Sequence, residues 1–245
     1  MKAVILAAGY ATRLYPLTLD RPKALLDVGG RPMVEHLLQQ LQGVDGLAGI
    51  YLVTNSKFAG AFRDWAAGWA GAEVRIVDDG TTDEETKLGA IGDLELTIRE
   101  AAIDDDLIVL AGDNLFSESL APFGEFARQK NAPALGVYDV GDLDAIRRYN
   151  AIELDDDDRL TFFEEKPAQP RSTLTGIALY FYPRQSLGLV REYLEAGNNP
   201  DQPGRLVQWL YPRVPVYAWR VPGRWYDIGS AETLAEADRA FTAGG

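Results

Sequence analysis

A doubly wound α/β fold, with a mostly parallel but mixed sheet in three layers, is what this 245-residue sequence predicts. Three observations predict it. Strand and helix signals alternate through the first half of the chain, the pattern of βαβ units. The most apolar short run, Leu107-Ile108-Val109-Leu110-Ala111, reads as a central strand, and Gly112-Asp113-Asn114 follows it directly. In the second half, strand signals follow one another without regular helices between them, which points to a small β lobe laid on the first half.

Taken in order, Ala3-Val4-Ile5-Leu6 is long enough for one buried strand, and the small-residue loop Ala7-Ala8-Gly9-Tyr10-Ala11 follows at once. A strand running into such a loop brings backbone N–H groups close to an anion. Pro16 and Pro22 mark a loop between two cations, Arg13 and Lys23. Pro32 opens an amphipathic helix to Leu41, with Glu35 suited to its first turn. Residues 49–54 form a second strand. A helix follows in which Phe58, Phe62, Trp65 and Trp69 serve packing, and residues 72–77 form a third strand. A polar loop, 78–86, leads into a helix ending near Ala101. Gly89 and Gly92 at its mouth have two readings: close approach of something flat or anionic, or small-residue packing of helix on sheet. Beyond residue 130, strands are expected at 134–140, 151–154, 159–165 and 174–182, then a helix over 184–196 closed by Gly197-Asn198-Asn199-Pro200. Ser230 can cap a last helix through Phe241. No repeat and no linker composition divides the chain, so 1–245 is read as one domain.

Composition narrows the function. A net charge of −13 argues against polymeric nucleic acid as a partner. Residues 1–31 run against this trend: Lys2, Arg13, Arg21, Lys23 and Arg31 outnumber Asp20 and Asp27, a local balance of +3 that suits an anionic ligand. The absence of cysteine excludes disulfides and thiolate metal sites, and fits a reducing compartment. No apolar stretch approaches the roughly 18 residues that span a membrane, and the N-terminal run is too short for a signal peptide, so a cytoplasmic location is expected. The single histidine, His36, reads as part of its helix rather than a catalyst, which leaves no histidine triad or zinc site. The acidic runs 104–106 and 155–158 sit at turns before strands and read as solvated turns rather than metal sites.

Four loop features remain: the basic glycine-containing loop, Asp113 after the central strand, Glu164-Glu165-Lys166-Pro167, and Asp227 in Tyr226-Asp227-Ile228-Gly229. Two separated aspartates among cations suit Mg²⁺ with phosphate, because Mg²⁺ takes one or two carboxylates and completes its octahedron with water and phosphate oxygens. No GxxxxGK[ST] occurs, and the opening loop lacks GxGxxG, so neither a P-loop nor a dinucleotide site is present.

These residues resemble the sugar-1-phosphate nucleotidylyltransferases, the NDP-sugar pyrophosphorylase family that includes glucose-1-phosphate thymidylyltransferase. The resemblance is carried by Leu6-Ala7-Ala8-Gly9, Thr12-Arg13, Pro22-Lys23, Gly112-Asp113-Asn114, Glu164-Glu165-Lys166-Pro167 and Tyr226-Asp227-Ile228-Gly229, in the family's order and over nearly the full length. It implies a Rossmann-like nucleotidyltransferase fold, with residues 1–130 mainly for the nucleotide and 131–245 mainly for the sugar phosphate. Two positions depart. The family carries a glycine where this chain has Ala11, which implies either φ < 0 there or a slightly different loop path. A left-handed alanine would cost about 1 kcal/mol. Asn150-Ala151 stands where relatives often show a glycine near the sugar.

The resemblance further implies the reaction of an NTP with a sugar 1-phosphate, giving NDP-sugar and pyrophosphate with Mg²⁺ as cofactor. Arg13 would hold the triphosphate, Lys23 the α-phosphate, and Lys166 the acceptor phosphate, as the catalytic cations. Leu6, Ala7, Ala8, Gly9, Tyr10, Ala11, Thr12, Gly89 and Asp113 would bind the nucleotide. Asn114, Tyr149, Asn150, Glu165, Thr175 and Gly176 would bind the acceptor, and Asp113 and Asp227 the metal. A homo-oligomer is compatible. Two alternatives stay open: cytidylyl transfer to phosphocholine, inositol phosphate or another alcohol phosphate, and a catalytically silent nucleotide-sugar-binding subunit.

Overall fold

The computed structural model describes residues 1–243. Its elements are β1 (Lys2–Leu6), the short ribbon β2 (Asp27–Val28) and β3 (Arg31–Pro32), α1 (Met33–Leu41), β4 (Ile50–Thr54), α2 (Ser56–Gly68), β5 (Val74–Asp78), α3 (Ala90–Glu100), β6 (Leu107–Ala111) and β7 (Asn114–Phe116). Then come α4 (Ala121–Lys130), β8 (Ala134–Asp139), α5 (Leu143–Ile146), β9 (Asn150–Leu154), β10 (Leu160–Glu165), β11 (Leu174–Tyr182), α6 (Gly188–Glu195), α7 (Pro203–Leu210), β12 (Tyr217–Arg220), β13 (Trp225–Asp227) and α8 (Ala231–Ala243).

Seven strands form the main sheet in the order β12-β8-β11-β6-β1-β4-β5. β6 is therefore the central strand, as its unbroken apolar run requires. β1 pairs in parallel with β4 on one side and β6 on the other, and only β11 runs antiparallel, against both β6 and β8. Alternate residues of β1 feed two cores. Ala3 and Ile5 pack with Val34 and Leu37 of α1, Phe58 and Phe62 of α2, and Phe123 of α4. Val4 packs on the other face with Ile91 and Leu94 of α3, Val190 of α6 and Leu206 of α7. This is the expected three-layer, doubly wound arrangement. The sheet order reverses direction at β1, and the loops after β1 and β6 open where such sheets bind ligands.

β9 and β10 form the antiparallel hairpin of the small lobe, and β13 pairs with β7 through Trp225–Phe116, Tyr226–Leu115 and Asp227–Asn114. α8 covers the ribbon end, where Leu14, Val28, Met33, Leu115, Ile228 and Ala237 make a third small core. His36 is buried there, with Nε2 2.7 Å from the Val28 carbonyl, so it belongs to packing.

Some expectations need correction. Pro32 is the cap of α1 and not its first residue. The helix expected over 184–196 is a 3₁₀ turn, Arg184–Ser186, followed by α6. α4 and α7 have no counterpart in the sequence reading, because Pro and Gly in each mimic loop chemistry; both prolines sit at the helix starts, where Pro is tolerated. The acidic turns are structural as expected: Asp155 Oδ1 accepts the N–H groups of Asp157 and Arg159, and Asp104 pairs with Arg184 at 2.6 Å.

Candidate active site

A cleft of about 600 Å³ opens at the C-terminal ends of β1 and β6, between the sheet and the small lobe. Its floor is the loop after β1: Leu6, Ala7, Ala8, Gly9, Tyr10, Ala11, Thr12 and Arg13 all line it. Neighbouring strands hold this loop. Ala7 N–H donates to Val53 O at 2.9 Å, Asn55 Nδ2 donates to Ala8 O at 2.8 Å, and Thr18 Oγ1 donates to Ala11 O at 2.8 Å. A Cβ on Gly9 would enter open space, so the loop leaves the room above Gly9 free for a ligand.

Ala11 is the first finding at odds with expectation. It has φ 49° and ψ 42°, squarely left-handed, and its carbonyl accepts Leu14 N–H at 3.0 Å to start the turn carrying Arg13. The loop holds an alanine in the left-handed conformation that favours glycine, so the expected negative φ is not found. The fastening at Thr18 offsets a strain of about 1 kcal/mol.

The second cation, Lys23, projects from a 3₁₀ turn after Pro22. Its Nζ donates to Asp113 Oδ2 at 2.7 Å, while Asp113 Oδ1 accepts Asn114 Nδ2 at 2.9 Å. The β13–β7 pairing brings Asp227 alongside, with Ile228 N–H on Asp113 O at 3.0 Å. Burial pushes the Asp227 carboxyl up to about 6, and the Asp113 charge adds to this against the opposing pull of Lys23 and Arg13. A divalent cation held by Asp113 and Asp227 would remove that repulsion. Two oxygen-donor carboxylates, with no cluster of three or more candidate ligands among the described residues, is the donor set of an ion completed by phosphate and water.

Asn114 lines the cleft, but its amide is committed on both sides: Nδ2 to Asp113, and Oδ1 accepting Trp225 Nε1–H at 2.6 Å. It orients the aspartate, and its second N–H remains for a ligand in the cleft. At the mouth of α3, Gly89 lines the cleft with φ +79°, and a Cβ there would meet the Pro200 carbonyl carbon at 2.8 Å. The backbone at 200–201 is thus the close neighbour of Gly89, and neither of the two sequence readings named it.

From β9, β10 and β11 and the residue before β9, Tyr149, Asn150, Glu165 and Gly176 line the cleft together. Asn150 Oδ1 accepts Gly176 N–H at 2.7 Å and its Nδ2 donates to Gly176 O at 2.9 Å, which clips β9 to β11. Burial raises the Glu165 carboxyl, with Lys166 and Arg205 opposing. A Cβ on Gly204 would meet Glu165 Oε2 at 2.5 Å, so this glycine makes the space that the carboxylate occupies. Thr175 is fully buried behind Asn150, bonded to its Oδ1 at 3.2 Å, and does not reach the cleft; its assignment as a substrate contact is corrected to support. Lys166 is exposed on the turn after β10, with φ +50° and its N–H on Tyr149 O at 2.7 Å. It stands beside the lining residues, not among them.

Sequence reading missed Asp93, Arg148, Asp201 and Gly204 as lining residues. Arg148 adjoins Tyr149 and could have been found from that motif. The 201–204 segment carries only turn residues, and no local signal marks it.

With this geometry in view, comparison with known proteins is decisive. The model of the nucleotidyl transferase family matches residues 2–244. The chain belongs to that family. The bifunctional protein GlmU of Methanocaldococcus jannaschii is 25% identical over 98% of this chain and 54% of its own length. The UTP–glucose-1-phosphate uridylyltransferase AglF of Haloferax volcanii is 30% identical over 74% of this chain and 72% of its own. The chain thus spans about half the length of the methanogen relative. A solved UDP-glucose pyrophosphorylase, complexed with UDP-glucose, superposes with a TM-score of 0.84 over 100% of this chain and 99% of that one, at 18% identity, and so shares the fold. The family inferred from the four motifs is the one the comparisons find.

Proposed function

We propose that this chain transfers a nucleotidyl group from an NTP to a sugar 1-phosphate, releasing pyrophosphate. One observation carries the reading: Lys23, Asp113 and Asp227 converge in a single cleft, with the β1 loop on one side and Glu165, Tyr149 and Gly176 on the other. In-line attack at the α-phosphorus needs groups for a nucleoside triphosphate, a metal and a phosphorylated acceptor within one cleft, and this lining offers candidates for each.

The attacking acceptor-phosphate oxygen is already an anion, so no general base is required. Catalysis is positioning and charge neutralisation. Backbone groups of Ala8 and Gly9 approach the nucleoside. Arg13 holds the triphosphate and the departing pyrophosphate. Lys23 turns from Asp113 to the α-phosphate. Asp113 and Asp227 would hold Mg²⁺, which supplies charge to the phosphate oxygens as bonds form and break. Glu165 accepts sugar hydroxyls in the space left by Gly204. Lys166, fastened beside Tyr149, grips the acceptor phosphate from the rim.

The test is pyrophosphate release from ATP, GTP, CTP, UTP and dTTP, each with glucose, mannose and N-acetylglucosamine 1-phosphates and with phosphocholine, in Mg²⁺. Release that depends on one sugar phosphate supports the reading. Release with phosphocholine alone moves the acceptor outside the sugars, and no release above the acceptor-free control sinks it.

A further inference from the structure

Asp93, on the first turns of α3, lines the cleft and is only 5% exposed. Its Oδ1 is buried without a donor, and so is Oδ2 of Asp79 at the end of β5. Neither oxygen has a hydrogen-bond partner, and the two carboxyls lie close enough that each perturbs the other. A proton held between two such carboxyl oxygens, one acid and one carboxylate, would satisfy both. The other Asp79 oxygen, Oδ1, accepts Thr81 N–H at 2.7 Å, and Thr81 Oγ1 lies 3.2 Å from the Tyr10 hydroxyl. Tyr10 belongs to the loop that floors the cleft. A chain of polar contacts thus runs from that loop, through β5, to α3.

The charges around the pair do not relieve it. Asp78, next to Asp79 on β5, and Asp201, from the loop facing α3, both add negative charge. Glu84 and Lys87, on the loop before α3, face one another at 2.7 Å, and Lys87 also meets Asp201 at 3.1 Å. Arg63 pairs with Asp78 at 3.4 Å. Burial accordingly pushes Asp93 up to about 8, with Asp79 and then Asp201 adding to it, and burial raises Asp79 as well.

We propose that Asp93 is a positioning residue for the nucleotide: it shares one proton with Asp79 and so clamps the mouth of α3, with Gly89, against the loop carrying Tyr10. Losing the proton leaves two buried carboxylates facing each other. The mouth of α3 then moves from the loop, and the nucleoside loses its seat. Lys23, Asp113 and Asp227 are separate from this pair and its polar contacts, so the effect falls on nucleotide affinity and not on turnover at saturation. The inference rests on the proposed NTP substrate for its functional half, and on the ligand-free protein for its chemical half.

Two measurements separate these halves. Infrared difference spectra of the ligand-free protein should show a protonated-carboxyl band that disappears as pH rises through about 8 and is missing in Asp93→Asn; a spectrum without such a band overturns the pair. Direct titration with ATP, GTP, CTP, UTP and dTTP in Mg²⁺, from pH 6.5 to 9, should show the bound nucleotide weakening by about tenfold or more in wild type. Asp93→Asn, whose amide donates to Asp79 without titrating, should remove that pH dependence, and Asp93→Ala should bind weakly throughout. Equal pH dependence in wild type and Asp93→Asn overturns the positioning role. Should none of the five nucleotides bind at pH 7 while the carboxyl band is present, the proposed function fails and the positioning role with it, although the proton-sharing pair stands.

Discussion

Lys23 and Asp113, 90 residues apart in the chain, meet at 2.7 Å in the middle of the cleft. The ammonium occupies the flank of a carboxylate whose neighbour, Asp227, is already pushed toward neutrality by burial and by Asp113. The contact joins the turn carrying Lys23 to the pair proposed to hold the metal, so disturbing either partner should be felt at both. Asp113→Ala is expected to lower turnover by about a hundredfold or more, on the order of 3 kcal/mol. Steady-state pyrophosphate release checks it, and near-wild-type release would remove Asp113 from the site.

Asp227 makes stability depend on pH with a definite sign. Its folded value of about 6 exceeds the ordinary 3.8, so between these values the folded protein holds more protons than the unfolded one. Stability of the metal-free protein should therefore fall as pH rises from about 4 to 6 and level off above that, by on the order of 2 kcal/mol. Asp93 adds a fall of the same sign that runs on to about 8. Urea unfolding of wild type against Asp227→Asn isolates the Asp227 share; parallel curves for the two would contradict the assignment.

Ala11 carries left-handed strain in a loop that must keep its path. Ala11→Gly relieves the strain but frees the unfolded chain, so its effect on stability is expected within about 0.5 kcal/mol of zero. Ala11→Val adds a branched Cβ in the same conformation. It should cost roughly 1–2 kcal/mol and weaken nucleotide binding. Thermal unfolding with and without nucleotide distinguishes the two.

Gly89 and Gly204 should report on opposite halves of the cleft. A methyl group at Gly89 meets backbone at Pro200, which cannot swing aside, so Gly89→Ala should raise KM for the nucleotide about tenfold or more and destabilise the fold by about 2 kcal/mol. At Gly204 the added methyl meets the end of the Glu165 side chain. Gly204→Ala should raise KM for the sugar phosphate and leave that for the nucleotide nearly unchanged. A uniform effect of either variant on both substrates would refute the division.

The cleft was legible where chemistry is written locally. The loop after β1, the turn after β6 and the 164–167 turn each combine a strand end with small or charged residues, and each was placed correctly on the cleft or at its rim. Thr175 was misread because its side chain serves a neighbour that arrives from elsewhere, the β9 residue Asn150, and the bond from Trp225, 111 residues on, to Asn114 was equally hidden. The 201–204 segment was invisible because its role is to approach Gly89 and Glu165 through space.

By itself the sequence determined the layered α/β class, the central place of Leu107–Ala111 and the family, because hydrophobic periodicity, turn chemistry and short motifs act between near neighbours. Only the tertiary structure decided that Ala11 keeps the left-handed turn, that Lys23 rests on Asp113, and that Asp79 and Asp93 each bury an oxygen without a partner. These are consequences of burial and of strand pairing between distant segments. Burial sets the cost of a charge, and pairing sets which charges face each other; neither quantity exists until the chain has folded.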